Sequence, residues 1–485
     1  MSKRLPLARF EGAFVFFLTA LCIIIISWLR GSMLGIDGFY HVRMADLYAS
    51  GAIGEAGANF HWTTHSIWNG AFADKDFLWH IILIPFTWVF GSDAVGLERA
   101  ALVAAACASG LIALVLNRVL RQREVRYSAL WTIVLLVAST TILYRLALPR
   151  SYLLSISAAL LGWHSIDKKR WKALAALAFV YTLSYTAPHL LFVLAAIWAF
   201  IELISLRLEG IRWRTCLNEV WPPFVAIALG ITLGVLAHPQ SLNLVKLWLI
   251  QNAVVPAHAM GMHELAATLS SWGGAAHSGA LGVNEIGKEM SAISGRNVIR
   301  AEWGGLLLIL LPWVYASLRQ VRPRKVDAFA WAVTLLFFAM MLSAERFAEY
   351  FYPFATLSAA MFVSHVNREG AALRVPFSSW LNAAPKFALG ALVIMLIARP
   401  LSLIETLKSR NISIADAVLA VDEHVPTGAK IFHSDWGDFT QLFFALPDRD
   451  YLVGLDPTFF HVKDPELYAL YVEIRQGQGA APGQF

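Results

Sequence analysis

Asp37-Gly38-Phe39-Tyr40-His41-Val42-Arg43, DGFYHVR, follows an apolar run from Gly12 to Leu29. An aspartate, a histidine four residues on and an arginine beyond it form a polar cluster where the chain leaves the bilayer. On a short helix Asp37 and His41 share one face. The same spacing returns in Asp76-Phe-Leu-Trp-His80, inside the only long hydrophilic segment of the N-terminal half. Two carboxylate–imidazole pairs on one side of a membrane point to chemistry on a charged or phosphorylated substrate.

Of the 485 residues 58% are hydrophobic and 15% charged, outside the range of a soluble globular protein. The chain therefore reads as a polytopic integral membrane protein. Its formal charge of +6 lies mostly in short loops between apolar runs, which speaks for orientation in the bilayer and not for nucleic acid. Cys22 and Cys107 fall in apolar spans and Cys216 in a basic loop, so no disulfide framework is expected. MSKRLPLAR before Gly12–Leu29 has the form of a signal peptide without a small-x-small cleavage site, and is read as a retained signal anchor.

Apolar runs at 11–29, 95–117, 127–145, 151–166, 171–187, 189–206, 220–237, 303–320, 327–343, 350–366 and 386–404 predict about eleven spans. With the N terminus cytoplasmic, the basic clusters around Arg118–Arg126, Lys168–Arg170, Arg207–Arg214, Arg319–Lys325 and Arg368–Arg374 all fall inside. That agreement requires Phe77–Gly91 not to cross. About fifteen residues long, with a proline and five aromatics, this segment suits an interfacial or re-entrant helix. The outer face then carries loops at about 31–93 and 238–302. It also carries short turns near Tyr144–Arg150 and SAERFAEY, and a C-terminal tail. The expected fold is an all-α transmembrane part, 1–404, with a small α/β appendage at 405–485. In that tail a helix, a strand IFH, the loop SDWGDF and a strand YLVG ending in DPTFF are read. Gly, Ser and Ala in the loop 238–302 suit a lid that orders on substrate.

Asp37 and Asp76 suit coordination of Mg or Mn with phosphate oxygens completing the shell, a general base, or a helix cap. His41 and His80 suit substrate contact or hydrogen-bonded packing. Arg43 suits a pair with Asp37 or a bidentate phosphate clamp. Arg145 and Arg150 suit snorkelling or anion binding, and Arg346, Glu349 and Tyr350 bracket the mouth of another span. Arg346 and Glu349 also have the spacing of an ordinary helical pair. His238 opens the long loop, in which Glu264 is the favoured carboxylate. Trp436 lies between Asp435 and Asp438 in a recognition or structural loop, and Asp456-Pro457-Thr458 suits a helix cap.

DGFYHVRMADLYASGAI resembles the start of the first loop in oligosaccharyltransferase catalytic subunits. DKDFLWHIILIPFTWVFG, followed by Arg99, is similar to the corresponding segment of protein O-mannosyltransferases and aminoarabinose transferases. SDWGDF resembles the tryptophan–aspartate–glycine motif of the oligosaccharyltransferase ectodomain. Together with the span pattern, the likeness is to the GT-C superfamily of membrane glycosyltransferases. That resemblance implies inverting transfer of a sugar from a polyprenyl-phosphate or polyprenyl-diphosphate donor, on the non-cytoplasmic face, to a glycan, lipid or protein acceptor. It implies that Asp37 is the first-loop acid acting as base or orienting acceptor and metal. Asp76 would stand near the lipid phosphate and Arg346 near the leaving group. Two departures stand out. RLALPRS in the second outer turn has arginines where many relatives carry acids, and the tail lacks a doubled tryptophan and most of a large ectodomain. The loop charges and cysteine use fit a bacterial inner membrane with a periplasmic C terminus. A flippase of lipid-linked saccharides and a noncatalytic glycan-lipid-binding scaffold are the alternatives.

Overall fold

The computed structural model describes residues 5–51, 60–254, 302–369, 378–408 and 414–477, with isolated positions between 257 and 295. Among these residues six helices are long and apolar enough to cross a membrane: Phe10–Arg30, Ala94–Gln122, Leu190–Leu208, Trp213–Ala237, Lys325–Ser343 and Gly390–Leu407. The other expected spans are helical but shorter or more polar. They are Tyr152–Asp167, Trp171–Ser184, Trp303–Leu318 and Ala348–Glu369. The span expected at 127–145 is not one helix. Ser128–Val137 and Thr140–Ala147 meet at 93°. Ser139 between them is extended and its hydroxyl caps the second helix, accepting from Thr141 N–H at 2.9 Å. Gly304 lies against this break, where a Cβ would stand 2.0 Å from the Ala138 carbonyl.

Close helix packing depends on small residues, because lipid supplies no hydrophobic drive between apolar helices. Gly230 and Gly234, four apart on Pro222–Ala237, lie on Ala175, Ala178 and Thr182 of Trp171–Ser184. Gly110 similarly lets Ala94–Gln122 lie on Phe16 of the first helix. Phe77–Phe90 has 14 residues with Pro85 inside. It would reach about 21 Å, short of a hydrocarbon core of about 30 Å.

The loops expected on the cytoplasmic side meet at one end of the bundle. Arg123 pairs with Asp167, Lys169 with Glu219 at 2.9 Å, and Lys325 with Glu202 at 2.6 Å. At the other end the first loop and the C-terminal segment share one core. Tyr40, Met44, Phe60, Trp62, Trp68 and Phe72 pack with Phe439, Phe443, Tyr451 and Phe459. The C-terminal strands are shorter than the sequence suggests: Lys430–Ile431 pairs in parallel with Asp450–Tyr451, and Thr63 of the first loop bridges to Tyr451. Trp62 and Thr64 take up the hydrogen bonds of Tyr451 that a longer sheet would have used. The helix Ser378–Lys408 runs through position 404, so the chain enters the C-terminal segment without a break there.

Candidate active site

The first-loop helix Asp37–Ala49 starts at the aspartate of DGFYHVR. A carboxylate in the first helical turn is favoured by the helix dipole. Gly38 allows the helix to lie directly on the second outer turn, because a Cβ there would meet Pro149 at 2.3 Å and the Met33 sulfur at 2.8 Å. The next residues of that turn hold both candidate carboxylates. Arg150 Nη2 stands 2.9 Å from Asp37 Oδ2, and Ser151 Oγ donates to Asp76 Oδ1 at 2.6 Å. Lys75 Nζ donates to Asp76 Oδ2 at 2.7 Å. Gly38→Ala is therefore expected to separate the helix from Pro149 and break the Asp37–Arg150 pair. The overpacking should cost about 1–3 kcal/mol of stability, read as a lower thermal midpoint; a midpoint equal to wild type would contradict this packing.

The carboxylate–imidazole pairs read from the four-residue spacing do not form, because tertiary contacts supply nearer partners. Asp37 goes to Arg150, and His41 Nδ1 lies 2.9 Å from His80 Nε2. His80 Nδ1 lies 2.7 Å from Oδ2 of Asp74. With Asp74 ionised, His80 donates to it and accepts from His41 Nδ1–H. Asp74 is fully enclosed. It accepts from Tyr48 OH at 3.0 Å and from Asp76 N–H at 3.1 Å. Its own N–H donates to Gln240 Oε1 and its carbonyl accepts from His238 Nε2. His238 thus braces the site from the start of the long loop. Tyr48 and Ser151 join the site with no local signal in the sequence, and Gln240 reads there only as part of the opening of the long loop. The doubled acid of ADKD was the signal available for Asp74 and Lys75, and a solvated turn is what its local composition suggests.

Burial pushes the His41 imidazole well below its ordinary value of 6.5, against the pull of Asp76. Burial also raises the Asp76 carboxyl, but the Lys75 ammonium at 2.7 Å more than offsets this and brings it down to about 2. Both groups act in the same direction on stability. Below about pH 6.5 the unfolded chain protonates His41 and the folded chain does not, and below about pH 4 the same holds for Asp76. Stability is therefore expected to fall progressively as pH drops from 7 towards 2, and His41→Gln should flatten the upper part of that loss in thermal melts. A melting curve independent of pH between 7 and 5 in the wild type would count against the buried neutral imidazole.

Arg346 Nη2 donates to Tyr185 OH at 3.0 Å, and Tyr185 lies within electrostatic reach of Lys75 and Asp76. Glu349 turns inward to Arg145, whose Nη2 lies 2.5 Å away with both side chains buried. Arg145 is thus no snorkelling residue. Tyr350 OH lies 2.6 Å from Ser155 Oγ in the same buried layer. Arg43 does not reach Asp37, because it lies on the opposite flank of the helix. It pairs with Asp46 and donates to the Phe444 carbonyl, fastening the C-terminal segment to the first loop. Trp436 packs with Leu452, Val453 and Phe460, and the adjacent Gly437 approaches Ile36, the residue before Asp37. SDWGDF therefore borders the site. Asp456 caps Pro457–Lys463 through Thr458 N–H, as its position suggests. Glu264 is exposed, and its carbonyl accepts from Thr268. His263, Glu285 and Glu289 lie outside the described residues.

Asp37 and Asp76 do not fit a Mg or Mn site. Among the described residues no three His, Cys, Asp or Glu side chains converge as a cation site. Asp76 has one oxygen on Lys75 and the other on Ser151, and Asp37 is held by Arg150.

An all-helical bundle, a first-loop acid at its mouth and a C-terminal segment packed on that loop make up a fold that is similar to a known one. Three solved structures of the Archaeoglobus fulgidus oligosaccharyltransferase share it. One is AglB with an inhibitory peptide and a dolichol-phosphate, at TM-score 0.57 and 14% identity, covering 92% of this chain and 64% of that one. A second carries a tethered acceptor peptide with an NVT sequon, at TM-score 0.55, 13% identity and coverages of 91% and 64%. The third is a complex with Zn and sulfate, at TM-score 0.54, 14% identity and coverages of 91% and 62%. The chain thus spans somewhat less than two thirds of their length. No family model matches the sequence, and no curated protein does.

Proposed function

We propose that this chain is a membrane glycosyltransferase that moves a sugar from a polyprenyl-phosphate or polyprenyl-diphosphate donor to an acceptor on the non-cytoplasmic face, with inversion. The observation that supports this most is the joining of two carboxylates, Asp37 and Asp76, to the cations Lys75 and Arg150, with Arg346 close by, at the loop-bearing end of a membrane bundle. Cations at this depth suit a lipid-linked phosphate. The dolichol-phosphate and inhibitory peptide in complex with AglB, and the acceptor peptide tethered in a second structure of the Archaeoglobus fulgidus enzyme, support a lipid-linked donor and an acceptor.

In the reaction the acceptor nucleophile attacks the anomeric carbon from the face opposite the phosphate. The bond from that carbon to the phosphate oxygen breaks, and its electron pair leaves on the phosphate. Asp37 receives or orients the acceptor proton, while Lys75, Arg150 and Arg346 stabilise charge growing on the leaving group. Asp76 positions Lys75. The bilayer placement that goes with this is a bacterial inner membrane with a cytoplasmic N terminus and a periplasmic C terminus.

A flippase would require charges midway along the helices. The buried Arg145–Glu349 pair instead lies in the last turn of Thr140–Ala147 and the first turn of Ala348–Glu369. The test of the proposal is transfer of label from a panel of polyprenyl-phosphate and polyprenyl-diphosphate sugars to membrane extract. Transfer by the wild type is expected; loss of donor from one leaflet without a glycosylated product would favour the flippase.

A further inference from the structure

The two candidate carboxylates are each already held by a cation of the chain itself. A divalent ion bound there would have to displace Lys75 from Asp76 and Arg150 from Asp37, and would then stand beside two displaced positive charges. Repulsion between like charges at such range is only weakly screened in a mostly enclosed site. Lys75 keeps its charge at the site. Burial disfavours its charge, and Asp76, Tyr185 and Asp37 more than restore it. Arg150 is mostly enclosed as well, with 16% of its side chain exposed. Ser151, which follows it, supplies a hydroxyl to Asp76 in the turn where a further acid would be needed to complete a metal shell.

Resting on the function proposed above, we infer that Lys75 and Arg150 hold the positions that a divalent cation would need, so that the site takes a phosphate or diphosphate group by direct ion pairing and works without a metal. A guanidinium offers a fork that matches two phosphate oxygens, and an ammonium a compact charge with three donors. Both can turn from their carboxylates towards the incoming anion and return when it leaves. Asp37 is thereby freed as the donor phosphate binds, which couples donor binding to the readiness of the acceptor acid.

The experiment is calorimetric titration of the full-length protein in nanodiscs with inorganic pyrophosphate, in EDTA and in Mn²⁺. Affinity in EDTA is expected to lie within about twofold of that in Mn²⁺, and Lys75→Met to weaken it about tenfold or more, with Lys75→Arg recovering most of the loss. A thermal melt of Lys75→Met close to wild type shows that the loss is not unfolding. Binding that needs Mn²⁺, binding in neither condition, or wild-type affinity in a folded Lys75→Met would each overturn the inference. Sugar transfer that requires Mn²⁺ leaves the proposed function standing and removes this inference. Metal-free pyrophosphate binding with no transfer from any donor does the reverse.

Discussion

Replacing Asp37 by asparagine is expected to lower sugar transfer by about two to four orders of magnitude, the range for loss of a positioned general base. The substitution keeps the shape and the hydrogen-bonding oxygen but removes the charge that takes or orients the acceptor proton. Asp37 is the more accessible of the two carboxylates, with 31% of its side chain exposed against 1% for Asp76. Loss of its pair with Arg150 should therefore cost little stability, about 1 kcal/mol or less for a partly exposed pair. Donor affinity should be retained or slightly improved, since Arg150 is released to the phosphate. The pattern that checks this is a fall in kcat with binding unchanged; an equal loss of donor affinity would instead make Asp37 a structural support for Arg150.

The largest effect on stability is expected at Glu349. Arg145 Nε and Nη2 both point at Glu349 Oε2, at 3.2 and 2.5 Å, with side chains 4% and 1% exposed. Glu349→Ala leaves a buried guanidinium without its counter-charge, which costs about 3–5 kcal/mol in comparable settings. Glu349→Gln should recover part of that by keeping an acceptor, and the double replacement Arg145→Leu with Glu349→Leu most of it. Thermal unfolding in detergent is the measurement. A single Glu349→Ala with an unchanged midpoint would mean that the pair is dispensable and that other contacts, among them the Tyr152 ring 4.5 Å from the guanidinium, hold Arg145.

The parts of this fold that were legible in the sequence are those written in local composition. Apolar length marks the crossing helices, and basic loops mark the end at which Arg123, Lys169 and Lys325 find their carboxylates. DGFYHVR stands out because a charged motif beside a span is costly unless it is used. Partner choice was not legible. Asp37 and His41 have helical spacing, yet each is claimed by a residue distant in the chain, Arg150 and His80. Asp74 lies in a stretch that reads as a solvated turn, and only the return of His238 and Gln240 from the far loop buries it. The bend between Val137 and Thr140 was hidden for a similar reason: its hydropathy is continuous, and the break comes from a serine cap and the close approach of Gly304.

The most direct test of lipid-linked sugar transfer is the movement of radiolabel from polyprenyl-phosphate and polyprenyl-diphosphate sugars into membrane extract, run in parallel with purified wild type and Asp37→Asn. Label appearing in an acceptor with the wild type, and falling to background with Asp37→Asn while donor still binds, is the predicted result. No label from any donor with the wild type, with donor bound equally by both proteins, would contradict it and leave a chain that binds glycan lipids without acting on them.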